Sequence, residues 1–305
     1  MANLREVRTR IASVKSTRQI TSAMKMVSAS KLRKAQNAID SLRYYSNNLK
    51  DLLIDLGKAA SIAQDHKYTL QNKDGEKALI VICSSNKGLC GPFNTHIIKR
   101  ATTHINSLKE LNYDISLFII GKRANDFFKK REDEIVEFDS DIIDNISFEN
   151  TRIISDKLKD YFSEKDYVRI DVVYNSFKNP VVQESVSETL LPVRISDQTE
   201  AKKEENIRYS ESDDLADLDH IKHILEPSAK SILDFVIPEV IDVEVYRILL
   251  DAFASEHGAR MTAMHQSTEN ANEIIKELTT TYNKVRQASI TKELVEIVSS
   301  AEALK

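Results

Sequence analysis

The 305-residue chain has no tryptophan, six glycines, five prolines and two cysteines. Cys83 and Cys90 are too few for a disulfide framework. Their spacing is neither a C-x-x-C redox pair nor a zinc knuckle, so two buried thiols in a reducing compartment are expected. No apolar run approaches the ~20 residues of a membrane span, and membrane contact is therefore expected only through partners. The opening MANLREVRTR puts charges where a secretion signal needs an apolar stretch, so none is expected there. A net charge of -4 gives no sign of a protein that binds nucleic acid over its whole surface.

The scarce breakers are placed unevenly. The glycines are Gly57, Gly75, Gly88, Gly91, Gly121 and Gly258, and the prolines Pro92, Pro180, Pro192, Pro227 and Pro238. Residues 1–56 contain none, and residues 239–305 contain only Gly258. Each stretch can form one helix, about 80 Å and about 100 Å long, against an ordinary helix of about 11 residues. Both carry a 3–4 apolar alternation. It runs through Leu4, Val7, Ile11 and Val14, then from Leu32 to Leu56, in the first; in the second it joins Ala271, Ile275, Leu278, Tyr282 and Val285. That is the seam of a coiled coil. Residues 1–39 hold nine Lys/Arg against Glu6 alone, whereas 239–305 hold seven Lys/Arg against eleven Asp/Glu. An antiparallel pair held by opposite charge is expected. The second helix should outrun the first by roughly 12 residues, leaving Ile290, Leu294, Ile297, Val298 and Leu304 without cover.

Between the two helices the period changes. KALIVICSS (77–85), YDISLFIIG (113–121) and YVRIDVVYNSF (167–177) predict strands, and 179–195 predicts a further one. They alternate with helical stretches near 93–110, 122–131 and 148–164. This is a βαβ rhythm, hence a mostly parallel sheet with its own core. The expected fold class is α/β: a long antiparallel coiled coil of N- and C-terminal helices plus a Rossmann-like domain. The expected division is 1–57 for the first helix, 76–195 for the α/β foot, 196–227 for a polar linker with a foot contact, and 228–305 for the second helix.

Candidate chemistry is sparse. The turn CSSNKGLCGPFN (83–94) follows a strand and precedes a helix, so its backbone N–H groups could cradle phosphate. It matches neither the dinucleotide fingerprint nor the P-loop, and tight turns want glycine on steric grounds alone. His220 and His223, with Asp217 and Asp219, lack a third ligand at fixed spacing for a metal site. No catalytic motif is present, and no cofactor is expected. The basic first helix could attract nucleic acid, but residues 1–39 offer no aromatic ring for stacking. An α/β enzyme or phospholigand-binding protein using 84–94, and a nucleic-acid-binding coiled coil, stand as alternatives to a protein with no chemistry of its own.

Three stretches carry a resemblance. IASVKSTRQITSAMKMVSASKLRKAQ (11–36) and the helix from Ala254 to Leu304 resemble the terminal helices of the gamma subunit of F-type ATP synthases. SSNKGLCGPFN (84–94) is similar to that family's S-D-[RK]-G-L-C-G-x-F-N turn, with Asn86 in place of the acid. The resemblance implies a central rotor shaft inside a hexamer of alpha and beta subunits. Its foot meets the epsilon subunit and the membrane-embedded ring of c subunits. It implies a non-catalytic, peripheral protein on the cytoplasmic side of a bacterial inner membrane. Matched by position, Arg286, Gln287 and Thr291 would meet the catch loops of the catalytic subunits, with Ile297 beyond them in the apolar sleeve at the top of the hexamer. Met24 and Lys25 would lie near the collar of the hexamer, with Arg260 close to Met24. His223 and Glu226 would lie in the foot near the c ring. The mixed surface of 18–36 suits a shaft meeting changing partners, with small Ser, Thr and Ala keeping it smooth and Met adapting to its contacts.

Overall fold

The structure, a computed structural model, describes residues 4–59, 66–69, 75–131, 133–164, 167–193 and 229–303. The polar linker after 193 lies outside the described residues, as do His220, His223, Glu226 and Leu304.

Two helices dominate. α1 is Leu4–Ala59, 56 residues, and α5 is Ala229–Ala303, 75 residues. α5 runs straight through Pro238, where the scarcity of breakers placed its start. An internal proline loses one backbone hydrogen bond and crowds the preceding turn. Here Leu233, Val236, Ile237, Val240 and Ile241 are all buried around it. Packing of that stripe outweighs the local penalty.

Between the helices lie β1 (Lys77–Cys83), α2 (Phe93–Glu110), β2 (Asp114–Ile120), α3 (Lys122–Phe128), β3 (Ile135–Asp139), α4 (Phe148–Glu164), β4 (Tyr167–Phe177) and β5 (Gln183–Leu191). They form one five-stranded sheet ordered β3-β2-β1-β4-β5. β1 pairs parallel with β2 and β4, β2 parallel with β3, and β5 closes the sheet antiparallel to β4. β3 escaped the sequence reading. It has five residues, Phe138 faces solvent, and charges crowd both flanks.

β1 shows why the sheet is buried on both faces. Leu79, Val81 and Cys83 join one apolar cluster with α4 and the lower half of α5. Ala78, Ile80 and Ile82 join another, with α2 and α3. Period-two alternation gives each layer its own set of side chains. The first cluster contains Leu233, Val236, Ile237, Val240, Ile241, Val245, Ile248 and Leu249 of α5. The foot therefore does not have a core separate from the shaft. One helix is both a layer of the foot and half of the coiled coil.

Higher up, α1 and α5 are antiparallel. Arg18 bonds Asn272 at 3.4 Å, Thr21 meets Thr268 at 2.8 Å, and Lys25 meets His265 at 3.2 Å. The paired numbers add to 289 or 290, which carries Leu4 to about residue 286 of α5. Among the described residues, 287–303 then have no partner helix, about 25 Å of single helix. From Ile290 to Ala301 every residue is exposed.

Candidate functional site

The segment 18–36 has its polarity inverted. The seam passes from Val14 through Arg18, Thr21, Lys25 and Ser28 to Leu32 and Ala35, with Thr21, Ser28, Leu32 and Ala35 buried. Ile20, Met26 and Val27 point outward at 60, 66 and 58% exposure. Thr21 and Ser28 were expected to smooth the surface, but they lie inside the seam, where Thr21 meets Thr268. Met24 and Lys25 are half-buried, and Lys25 is bonded to His265. The expected charge complementarity fails at this seam. Arg18 meets Asn272 and Lys25 meets His265, neither of them a carboxylate, and Arg8, Arg10 and Lys15 face solvent.

At the tip, Ile290, Leu294, Ile297 and Val298 are 49–66% exposed along a helix that has no mate among the described residues. Arg286, Gln287 and Thr291 are exposed at the point where α1 ends. The Thr291 hydroxyl folds back onto the Gln287 carbonyl at 3.0 Å. An unpaired helix end carrying large apolar side chains is marginal in water and calls for a covering surface.

Arg260 sits elsewhere. It was expected close to Met24, but the register puts Met24 opposite about residue 266, more than a turn away. Arg260 is buried and ion-paired to Glu256 at 2.7 Å. Its guanidinium donates to the Lys87 carbonyl at 3.1 Å and the Gly88 carbonyl at 3.3 Å. Burial raises the Glu256 carboxyl, against the pull of Arg260. Burial first, then Arg260, Lys31 and Lys87, lower the His257 imidazole to about 3, so it is neutral beside Phe253.

The 84–94 turn is thus a clasp on α5. Leu89 and Gly91 take positive φ, 63° and 58°. The N–H groups of Ser84, Ser85 and Phe93 are spent on the Ile120 carbonyl, the Asn94 side chain and the Cys90 carbonyl. The Lys87 and Gly88 carbonyls face the buried Arg260, so this side of the turn presents acceptors and not the donors of a phosphate cradle. Asn86 donates to the Ser140 carbonyl at 2.6 Å and to Asp144 at 3.3 Å, while accepting from the Lys122 N–H at 3.2 Å. An ionised acid at this position could not donate, and the amide suits the site. A second clasp lies close by: the Thr262 hydroxyl donates to the Pro180 carbonyl at 2.9 Å. A Cβ at Gly258 would lie 3.3 Å from Phe177 and Pro180. A lone glycine in a long helix was the sequence signal for this close approach.

The polar groups that resemble catalytic ones are committed to structure. Burial raises the Cys83 thiol to about 12 and raises Cys90 too, the opposite of an activated nucleophile. His104 meets Asp171 at 2.7 Å, but Arg169 also holds Asp171 and reaches Thr189, so the group ties α2 to β4 and β5. Among the described residues, no group of His, Cys, Asp and Glu could hold a metal ion, and no helix is long and apolar enough to cross a membrane.

Comparison with known proteins decides the family. The ATP synthase family model matches residues 3–304. ATP synthase gamma chains from Christiangramia forsetii and Flavobacterium psychrophilum are 46% and 42% identical over the whole of this chain, covering 99% and 100% of their own lengths. The chain belongs to the ATP synthase gamma-chain family. The fold agrees with a chain of the Euglena gracilis mitochondrial ATP synthase (OSCP/F1/c-ring), at a TM-score of 0.63 and 19% identity over 99% of this chain and 94% of that one. A chain of the Euglena rotor gives 0.59 over 94% and 98%.

As a gamma chain it is the central-stalk rotor subunit of a membrane-associated complex, and it is not itself the catalyst. The gamma-chain family accounts for a structure whose polar clusters all fasten one element to another. The inverted polarity at 18–36 and the bare tip are surfaces of such a shaft.

Proposed function

We propose that this gamma chain turns inside a hexamer of alpha and beta subunits, and that α5 is the torque-bearing element. What supports this most directly is the continuity of α5: its lower half is a layer of the foot's core, and its last 17 residues, from about 287, are a bare single helix. A rotation imposed on the foot reaches the tip without crossing a loop. Ion flow through a membrane ring of c subunits drives the foot, with the epsilon subunit beside it, and His223 and Glu226 serve that end. The hexamer meets Met24 and Lys25 at mid-shaft, Arg286, Gln287 and Thr291 where α1 ends, and Ile297 at the tip. An asymmetric shaft contacts each subunit of the ring differently, and so biases their states in order. Arg260, buried under the 84–94 turn, acts on this surface only by fixing the foot to the shaft. The complex works on the cytoplasmic side of a bacterial inner membrane, and this chain is peripheral to it. Residues 4–57, 76–193 and 229–303 act as first shaft helix, foot and second shaft helix.

The test is assembly. The full chain mixed with alpha and beta subunits should co-purify as one complex with ATPase activity, and removal of 287–305 should weaken its retention at least several-fold. Equal retention of full and shortened chains would remove the tip from the contact surface. No association at all would overturn the proposal.

A further inference from the structure

Where α5 enters the foot, Arg247 gathers charges from several elements. It bonds Glu188 of β5 at 2.9 Å, Glu244 at 2.7 Å and Asp251 at 3.3 Å, both in α5. Both ends of the guanidinium also donate to the Tyr174 hydroxyl of β4 at 3.2 Å, and that hydroxyl donates to Glu188 at 2.9 Å. Arg43 of α1 also acts on Asp251. Arg247 is thus a contact common to three carboxylates. Asp251 is the most enclosed of them, with 14% side-chain exposure against 23% for Glu244 and 43% for Glu188. Every packed element contributes a charged or titratable group, and Arg247 with Glu188 is the ion pair that ties β5 to α5.

We propose that this cluster is a proton-responsive joint between foot and shaft: it takes up one proton on mild acidification, and the grip of β5 on α5 tightens. With all three carboxylates ionised, like charges are held together in a poorly solvated place. One proton on Asp251 relieves that repulsion and leaves Arg247 to Glu188 and Glu244. Burial, ahead of the Glu188 and Glu244 charges, raises Asp251 to about 6, against the pull of Arg247 and Arg43. Because the folded value lies above the ordinary 3.8, the folded state holds the extra proton, and the joint loses stability as pH rises through about 6. The three charges stand at 244, 247 and 251 within an otherwise apolar run, the i, i+3 and i+4 spacings of one helix face.

The test is amide hydrogen exchange of 183–191 and 240–252 in the full chain, corrected for intrinsic rates, at pH 5.5 and 7.5. The readout is the ratio of opening in the wild type to that in Asp251→Asn, which cancels titrations common to both, including His257. A carboxyl moved from 3.8 to about 6 changes that ratio about fourfold between the two pH values, with the wild type gaining protection on acidification. Glu188→Gln removes one like charge and should shift the wild-type response to lower pH; it carries the test alone if Asp251→Asn does not fold. A pH response unchanged in the variants, or wild-type protection that falls relative to Asp251→Asn on acidification, overturns the proposal.

Discussion

Replacing Arg260 by Met keeps most of the side-chain volume and removes the charge. Two losses follow. Glu256, 7% exposed and 2.7 Å from the guanidinium, is left as a buried carboxylate without its partner. Breaking a buried pair from one side costs about 3–5 kcal/mol. The Lys87 and Gly88 carbonyls also lose their donor, at about 1–3 kcal/mol if water cannot reach them. The first cost has a ceiling: Glu256 is already raised by burial, and without Arg260 it rises further and takes a proton. The deficit should therefore be about 3–5 kcal/mol at pH 7.5 and clearly smaller at pH 5.5. In the double variant Arg260→Met, Glu256→Gln, no buried charge is orphaned, so much of the loss should return. The assay is urea unfolding of the four chains of this cycle at both pH values. Hydrogen exchange of 84–94 reports the clasp separately. An Arg260→Met deficit below about 1 kcal/mol, or one equal at both pH values, would refute the reasoning.

Three further expectations follow from single residues. His257, lowered to about 3 from 6.5, contributes stability that is lost as pH falls below 6.5. His257→Asn should flatten that acid limb of a thermal-unfolding profile, by at most about 5 kcal/mol at pH 3. Gly121→Ala should lower the unfolding free energy by about 3 kcal/mol or more, seen as a lower urea midpoint. The position has φ +97°, and a Cβ there would lie 2.2 Å from the Ser84 carbonyl oxygen. In a chain freed of Cys83 and Cys90, cysteines at Leu4 and Arg286 should crosslink, whereas a cysteine at Ile297 should find none in α1; an efficient Leu4–Ile297 disulfide would show the two helix ends to be flush.

The long elements were legible because their cause is local. Absence of breakers and a 3–4 seam mark α1 and α5, and continuous apolar runs mark β1, β2 and β4. β3 was not, because five residues with one exposed Phe carry too little pattern. Pro238 read as a breaker, but the buried stripe around it, Leu233 to Ile241, keeps α5 continuous. The bare tip was legible from arithmetic on helix length, and the exposure of Ile290 to Val298 follows it. The seam through Thr21 and Ser28 was hidden, since an apolar periodicity cannot announce a polar interior. Charge totals suggested that α1 and α5 neutralise each other, but totals do not say which face a cation takes. Arg260 and the Arg247 cluster depend on contacts across more than 50 residues, which no window of sequence contains.

The foot and the shaft are proposed to turn as one body within the hexamer. This proposal is tested most directly by fixing the foot to a catalytic subunit with a reducible disulfide in the assembled complex and following ATP hydrolysis. Turnover should stop when the bond forms and return when it is reduced. Hydrolysis that continues at full rate with the foot fixed would contradict it.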